Sequence, residues 1–280
     1  MNYQTGLKNQ QAENENGLYA LGMGIVIKSI ECCNGSISYR ISHGFADTTL
    51  LFIHGLEGDS RLFQNQLRHF GGRFSVIAID LPGHGRSVTE KVPALNEYID
   101  AIHMVMQEED VKSYIPFGHS MGGGICLELL KSDRDMIEGM VLISTGSVFP
   151  IPDYYFNMVD NDLEGFIDFL VRSVFSRKTD LIAEIAKKGI GRINSGVLMS
   201  DLQICTSMDY TELLKDIEVP VLLIANRGDT ILPCGLTKSL KERIENSRLI
   251  IYDYNGHVPF FENSDTFNRT VEDFIDDIIR

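Results

Sequence analysis

Six short, continuous apolar runs restrict most strongly what this chain can fold into: Leu50–Ile53, Val76–Ile79, Tyr114–Phe117, Met140–Ile143, Val221–Ile224 and Leu249–Tyr252. A strand with one wet face alternates apolar and polar residues, whereas a strand buried on both faces does not. The runs therefore predict the inner strands of a parallel sheet. Apolar residues at helical spacing separate most of them, around Leu62–Phe70, Leu95–Val105, Leu127–Leu130, Leu236–Ile244 and Phe267–Ile279. These predict the crossover helices that parallel neighbours need. The alternation specifies a three-layer α/β architecture whose strand C-terminal ends, and any site built on them, lie along one edge. Upstream, Ile25–Ile30 and Ser36–Ser42 predict one more strand pair, turning at Asn34-Gly35.

Two stretches fall outside this rhythm. Residues 1–24 read as a polar, weakly ordered leader without the basic and apolar regions of a secretion signal. Residues 147–216 hold many aromatic residues, and Phe166, Phe169, Leu170 and Val174 follow helical spacing. A helical insertion over the strand ends is expected there, which leaves 25–146 and 217–280 as one core domain.

Charge and cysteine content narrow the partners. With 25 basic and 39 acidic residues the net charge is −14, the wrong sign for a broad phosphate-binding surface, so no nucleic acid and no anionic membrane is expected as partner. No stretch approaches the ~18 apolar residues of a membrane span. The five cysteines are an odd number with no CxxC and no zinc spacing, which fits reduced thiols and a cytoplasmic protein.

The chemistry concentrates in Gly118-His119-Ser120-Met121-Gly122. This G-x-S-x-G pattern directly follows a buried run and leads into a helical pattern, the strand-turn-helix setting of a nucleophile elbow. A turn strained enough to push Ser120 out of the backbone leaves no room for side chains at Gly118 and Gly122. The start of the following helix would also present free amides and a positive dipole end to the serine.

From about Ile25 to the C-terminus the chain resembles the α/β-hydrolase fold family. The resemblance rests on motifs in order: His54-Gly55 after the third strand, Asp80-Leu81-Pro82-Gly83-His84-Gly85-Arg86-Ser87 after the fourth and the elbow after the fifth. Gly228-Asp229 then follows the seventh strand and Gly256-His257 the eighth. It implies an eight-stranded, mostly parallel sheet with a helical cap at 147–216, and a triad in the order Ser, Asp, His. Ser120 is then the nucleophile. Among seven histidines His257, in the loop beyond the last strand, is the expected general base. Asp229 is the expected acid in preference to Asp253, and the position after the sixth strand, Ser144-Thr145-Gly146, offers no carboxylate. The implied oxyanion donors are the backbone amides of Met121 and Leu56.

His54, His84 and His119 are expected to stabilise turns, and Glu57 and Asp59 to be solvated loop charges. Phe149, Tyr154, Tyr155 and Met158 are candidates for the wall of an apolar pocket.

The implied activity is a serine hydrolase cleaving a small to medium, largely apolar carboxylic ester, a small-molecule substrate, with no metal or organic cofactor. The same triad suits a lactone or enol-lactone hydrolase, a thioesterase or a carbon-carbon bond hydrolase, and the fold also suits a ligand receptor with little turnover. Dehalogenase and epoxide-hydrolase relatives are disfavoured because they use an Asp nucleophile. The chain also has no tryptophan for an indole-lined halide site.

Overall fold

A computed structural model of the protein describes residues 24–56, 58–176, 194–253 and 256–279, so residues 1–23 of the expected leader lie outside the described residues. The strands are β1 (Val26–Cys32), β2 (Gly35–Ser42), β3 (Thr48–Ile53), β4 (Ser75–Ile79), β5 (Val88–Thr89), β6 (Ser113–His119), β7 (Met140–Ile143), β8 (Val221–Asn226) and β9 (Ser247–Tyr252). The helices are α1 (Gln64–Phe70), α2 (Leu95–Glu108), α3 (Met121–Leu129), α4 (Asp153–Asn161), α5 (Leu163–Val174), α6 (Ser195–Ser207), α7 (Cys234–Lys241), α8 (Pro259–Glu262) and α9 (Ser264–Ile278).

The strands form one sheet in the order β1-β2-β4-β3-β6-β7-β8-β9, with β5 paired to β2. Every pairing from β4 across to β9 is parallel, while β1, β2 and β5 pair antiparallel. The six apolar runs are thus the six parallel strands. Eight strands make the continuous path, and the two-residue β5 is a ninth that no apolar run announces.

On β3, Leu50 and Phe52 join one apolar cluster and Leu51 and Ile53 the other, as the two-residue period of a strand requires. The first face is covered by residues of α1, α8 and α9, the second by α2, α3 and α7. Helix α9 shows why such sequences settle there. Its buried Phe267, Val271, Phe274 and Ile275 recur at three and four residues, so one stripe meets the sheet. Each such side chain contributes about 1.5–3 kcal/mol on burial.

The β1–β2 turn differs from expectation by one residue. Cys32 pairs with Gly35, so the loop is Cys33-Asn34 and the glycine opens β2. Gly35 has φ +134°, and a Cβ there would lie 2.1 Å from the Val88 carbonyl oxygen. The close crossing of β5 requires the glycine.

The stretch between β7 and β8 contains α4, α5 and α6 and, among its described residues, no strand. Residues 177–193 of the expected insertion lie outside the described residues. Tyr155, Val159, Phe166, Leu170, Leu198 and Leu202 give these helices an apolar core of their own. The two ends are tied where Tyr210 N–H donates to the Ser147 carbonyl at 2.9 Å. Phe149, Ile204, Cys205, Met208 and Tyr210 then pack into the main core, so the insertion is anchored through apolar contacts at its base.

Candidate active site

Ser120 stands between β6 and α3 with φ 54° and ψ −121°, a strained backbone that costs on the order of 1–3 kcal/mol. Three hydrogen bonds hold it there. Its N–H donates to Ile143 O at 3.0 Å, and its carbonyl accepts from Gly123 N–H at 2.9 Å and from the Thr145 hydroxyl at 2.8 Å. The expected crowding is present: a Cβ at Gly118 would lie 2.3 Å from the Gly122 carbonyl oxygen, and one at Gly122 would lie 2.3 Å from the Ile53 carbonyl oxygen. The turn therefore seats the start of α3 directly on the end of β3.

Two loops from farther along the chain bring the imidazole and the carboxylate. His257 Nδ1 lies 2.8 Å from Asp229 Oδ2, with both side chains almost wholly buried. Beside a carboxylate Nδ1 carries the proton and donates, which leaves Nε2 with a free lone pair. The other Asp229 oxygen accepts from the Ile231 and Leu232 N–H groups, each at 2.9 Å, so the carboxylate is oriented before it meets the histidine. His119 draws the imidazole to the elbow: its Nε2–H donates to the His257 carbonyl at 2.9 Å, and the two rings are 4.5 Å apart. Burial, reinforced by the neighbouring His257, holds His119 well below the usual imidazole range. It stays neutral beside a ring that would gain charge.

The loop after β3 closes the third side. A Cβ at Gly55 would lie 2.8 Å from Ser120 Cβ, so this backbone lies against the serine. The Gly55 carbonyl accepts from His54 Nδ1–H at 2.8 Å and from Gly58 N–H at 3.0 Å. Leu56 follows, half-buried and packed against the apolar core of the insertion, as is Ile231 beside Asp229. The end of α5 reaches the histidine loop as well, for His257 N–H donates to Val174 O at 2.7 Å. The insertion thus touches the loops that carry Leu56, Asp229 and His257.

Of the four pocket candidates, Tyr155 lies inside the core of the insertion, with Met158 packed against that core. Tyr154 is exposed and meets the Tyr155 ring edge-on at 4.8 Å. Phe149 belongs to the main core, where its ring and Met208 press on Gly124 of α3. One expectation about charge changes. Asp59 is buried rather than solvated, because it caps the turn at Ser60 and forms an ion pair with Arg61 at 2.5 Å; Glu57 lies outside the described residues. Asp253 pairs with Arg227 at the surface and not with His257.

His119, Thr145 and the Val174 carbonyl were not singled out from sequence as site-building groups. A hydroxyl or a carbonyl near a strand end carries no signal of the partner it will find. Among the described residues no group of three or more His, Cys, Asp or Glu could hold a metal ion. Surface cavities of about 820 Å³ between α2 and α6 and about 420 Å³ beside the β1–β2 turn are lined by none of Ser120, Asp229 and His257.

The chain is similar to known proteins in sequence and fold. A family model described as the alpha/beta hydrolase fold matches residues 48–184, and a second, described as TAP-like protein, matches 201–278. A pimeloyl-(acyl-carrier protein) methyl ester esterase of Nitrosomonas europaea is 25% identical over 235 residues, covering 78% of this chain and 92% of its own length. The solved esterase of Exiguobacterium antarcticum superposes with a TM-score of 0.79 at 18% identity, covering 86% of this chain and 96% of its own. Est816, described as an N-acyl homoserine lactone degrading enzyme, superposes with a TM-score of 0.78 at 21% identity, covering 88% of this chain and 100% of its own. With the sheet order and the elbow, these matches show that the chain belongs to the α/β-hydrolase fold family and is a hydrolase.

Proposed function

We propose that the protein is a serine esterase in which Ser120, His257 and Asp229 form a catalytic triad acting on a small to medium, largely apolar carboxylic ester. The observation that carries this reading is the buried 2.8 Å bond from His257 to Asp229, brought by His119 to a strained serine. Asp229 holds the imidazole in the tautomer whose Nε2 can take the Ser120 proton, and it stabilises the imidazolium that results. Ser120 Oγ attacks the ester carbonyl, and the tetrahedral intermediate collapses as Nε2 returns the proton to the leaving alcohol. Water, activated by the same nitrogen, then releases the acid from the acyl-enzyme.

The developing oxyanion would be met by the N–H groups of Met121 and Leu56. Met121 opens α3, where a helix leaves amides without an intrahelical acceptor. Such donors contribute about 2.7–4 kcal/mol each. The segment 147–216 serves as a cap, and Leu56 and Ile231, packed on its apolar core, support a pocket wall without charge. The net charge of −14 favours approach of neutral esters over anionic ones and speaks against nucleic acid as partner. Five free cysteines support a reducing, cytoplasmic location, and among the described residues no helix is long and apolar enough to cross a membrane.

Labelling with a fluorophosphonate probe tests the reading. The wild type is expected to label and Ser120→Ala to lose the label. An unlabelled wild type would favour a binding module over an enzyme. A panel of short esters, lactones and acyl thioesters then reads the leaving group, with kcat/KM expected highest on the esters.

A further inference from the structure

Three buried groups that the triad does not use are joined beside it. His84 Nε2 lies 2.9 Å from Asp201 Oδ2, and neither side chain is exposed at all. The Tyr98 hydroxyl donates to Asp201 Oδ1, and His84 Nδ1 faces the Pro82 carbonyl at 3.2 Å. The His84 ring is 4.9 Å from that of His54. Asp201 sits on α6 of the insertion, Tyr98 on α2, and the two histidines follow β4 and β3.

We infer that Asp201 is a positioning residue: through the rings of His84 and His54 it aims the Gly55–Leu56 peptide whose N–H is the proposed oxyanion donor. The inference rests on that reading of Leu56. The first link is electrostatic. Both His84 nitrogens face acceptors, a carbonyl and a carboxylate, so the ring satisfies both only as an imidazolium. Burial resists that charge, but the attraction and hydrogen bond of Asp201 outweigh it, and the ring titrates above the usual imidazole range. Asp80 adds a smaller attraction in the same direction.

The second link is the neutrality of His54. Its Nε2 accepts the Leu81 N–H at 3.1 Å while Nδ1–H donates to Gly55 O at 2.8 Å, which only the neutral Nδ1–H tautomer can do. Burial first, then the charge on His84, push this ring down to about 3, against smaller opposing effects of the Gly55 hydrogen bond and of Asp59. The third link is geometric. In a trans peptide the C=O and N–H point in opposite directions. Pinning the Gly55 oxygen on the His54 side therefore aims the Leu56 N–H to the other side, on a backbone that already lies against Ser120 Cβ. A mere structural anchor at Asp201 would be better served by apolar residues, since a buried ion pair is often neutral or unfavourable for stability.

The test compares wild type, Asp201→Asn, Tyr98→Phe, His54→Asn and His54→Leu, all folded by circular dichroism, on a short p-nitrophenyl ester and a trifluoromethyl ketone that mimics the tetrahedral state. Asp201→Asn is expected to lower kcat by about 10- to 100-fold, less than the ~10²–10³ of losing a donor outright, with KM nearly unchanged. Affinity for the trifluoromethyl ketone should fall by the same factor as kcat/KM. His54→Asn keeps a side-chain N–H near the position of Nδ1 and should retain much of the kcat that His54→Leu loses. An unchanged kcat in Asp201→Asn, a rise confined to KM, or equal losses in the two His54 variants would overturn the inference. If Asp201→Asn fails to fold, Tyr98→Phe decides: removing one of the two partners of the carboxylate should lower kcat several-fold at constant KM, and unchanged kcat overturns the inference. Wild-type labelling that is lost in Ser120→Ala keeps the esterase reading standing whatever these variants show, so the two can fail separately.

Discussion

Around Ser120 nearly every backbone group has a named partner, whereas the helices between β7 and β8 meet mostly through apolar side chains. The elbow is fixed by Ile143, Gly123 and Thr145, with the glycine contacts of β3 pressed against it. The core of α4, α5 and α6 is built from Tyr155, Phe166, Leu170, Leu198 and Leu202, and apolar packing of this kind tolerates rearrangement better than a fixed set of hydrogen bonds. Polar contacts also tie these helices to the rest of the molecule, among them Val174 O on the His257 backbone, Asp201 on His84 and Tyr98, and the Ser200 hydroxyl on Pro93 O. The contrast separates two tasks. Reaction geometry needs an over-determined backbone, while choice of substrate needs apolar surface with room to adjust.

That contrast can be broken from either side. The largest effect is expected from Ser120→Ala, which should remove about 10⁴-fold or more of kcat while the protein melts no lower, because only the hydroxyl is lost. Asp229→Asn should follow closely, at about 10⁴-fold in kcat with KM little changed, since an amide favours the wrong imidazole tautomer. Steady-state kinetics reads both, and an Asp229→Asn enzyme within tenfold of wild type would remove Asp229 from the triad.

Acid should loosen the elbow side. His54 and His119 are held neutral by burial, so the unfolded chain binds more protons than the folded one below pH ~6.5. Their contribution to stability is present above that pH and is lost as pH falls towards the folded values. For His54, which falls to about 3 in the folded protein, the loss is about 2 kcal/mol at pH 5. His84 has the opposite sign: its contribution is whole below pH ~6.5 and disappears as pH rises through its raised folded value. Urea unfolding at pH 7 and pH 5 measures the balance on the acid side, and a midpoint independent of pH would count against neutral buried rings.

Gly122→Ala sharpens the elbow half. With the Ile53 carbonyl 2.3 Å from the new methyl group, it should destabilise by about 1–3 kcal/mol and slow probe labelling. The smallest effect on chemistry is expected from the insertion. Phe166→Ala empties part of its core and should raise KM by more than it lowers kcat, and an equal loss in both would mean that the helices also set the geometry of the triad.

How much of this was legible beforehand follows from the range over which each signal acts. The parallel strands were readable because burial on both faces writes a continuous apolar run into four neighbouring residues. The elbow was readable because its steric demands fall on Gly118 and Gly122, two residues either side of Ser120. Asp229 and His257 stood at recognisable strand ends, although their contact joins residues 28 apart. Asp59 was misjudged because a loop carboxylate looks the same in sequence whether it faces water or caps a turn beside Arg61. The packing of Phe149 into the main core was not legible because an aromatic ring near a site carries no record of which neighbour buries it.

The positions of the six parallel strands along the chain, the helical insertion and the serine at its turn were legible in sequence alone, since each is a matter of local period, local sterics or an ordered series of short motifs. Which buried polar groups meet was decided by the tertiary structure. Asp201 and His84 are 117 residues apart, and Thr145 reaches back 25 residues to the Ser120 carbonyl. A buried donor or acceptor must find a partner, but nothing in its own neighbourhood names one. Only the packing of α6 against the β4 turn, and of the β7 end against the elbow, brings these groups within hydrogen-bonding distance.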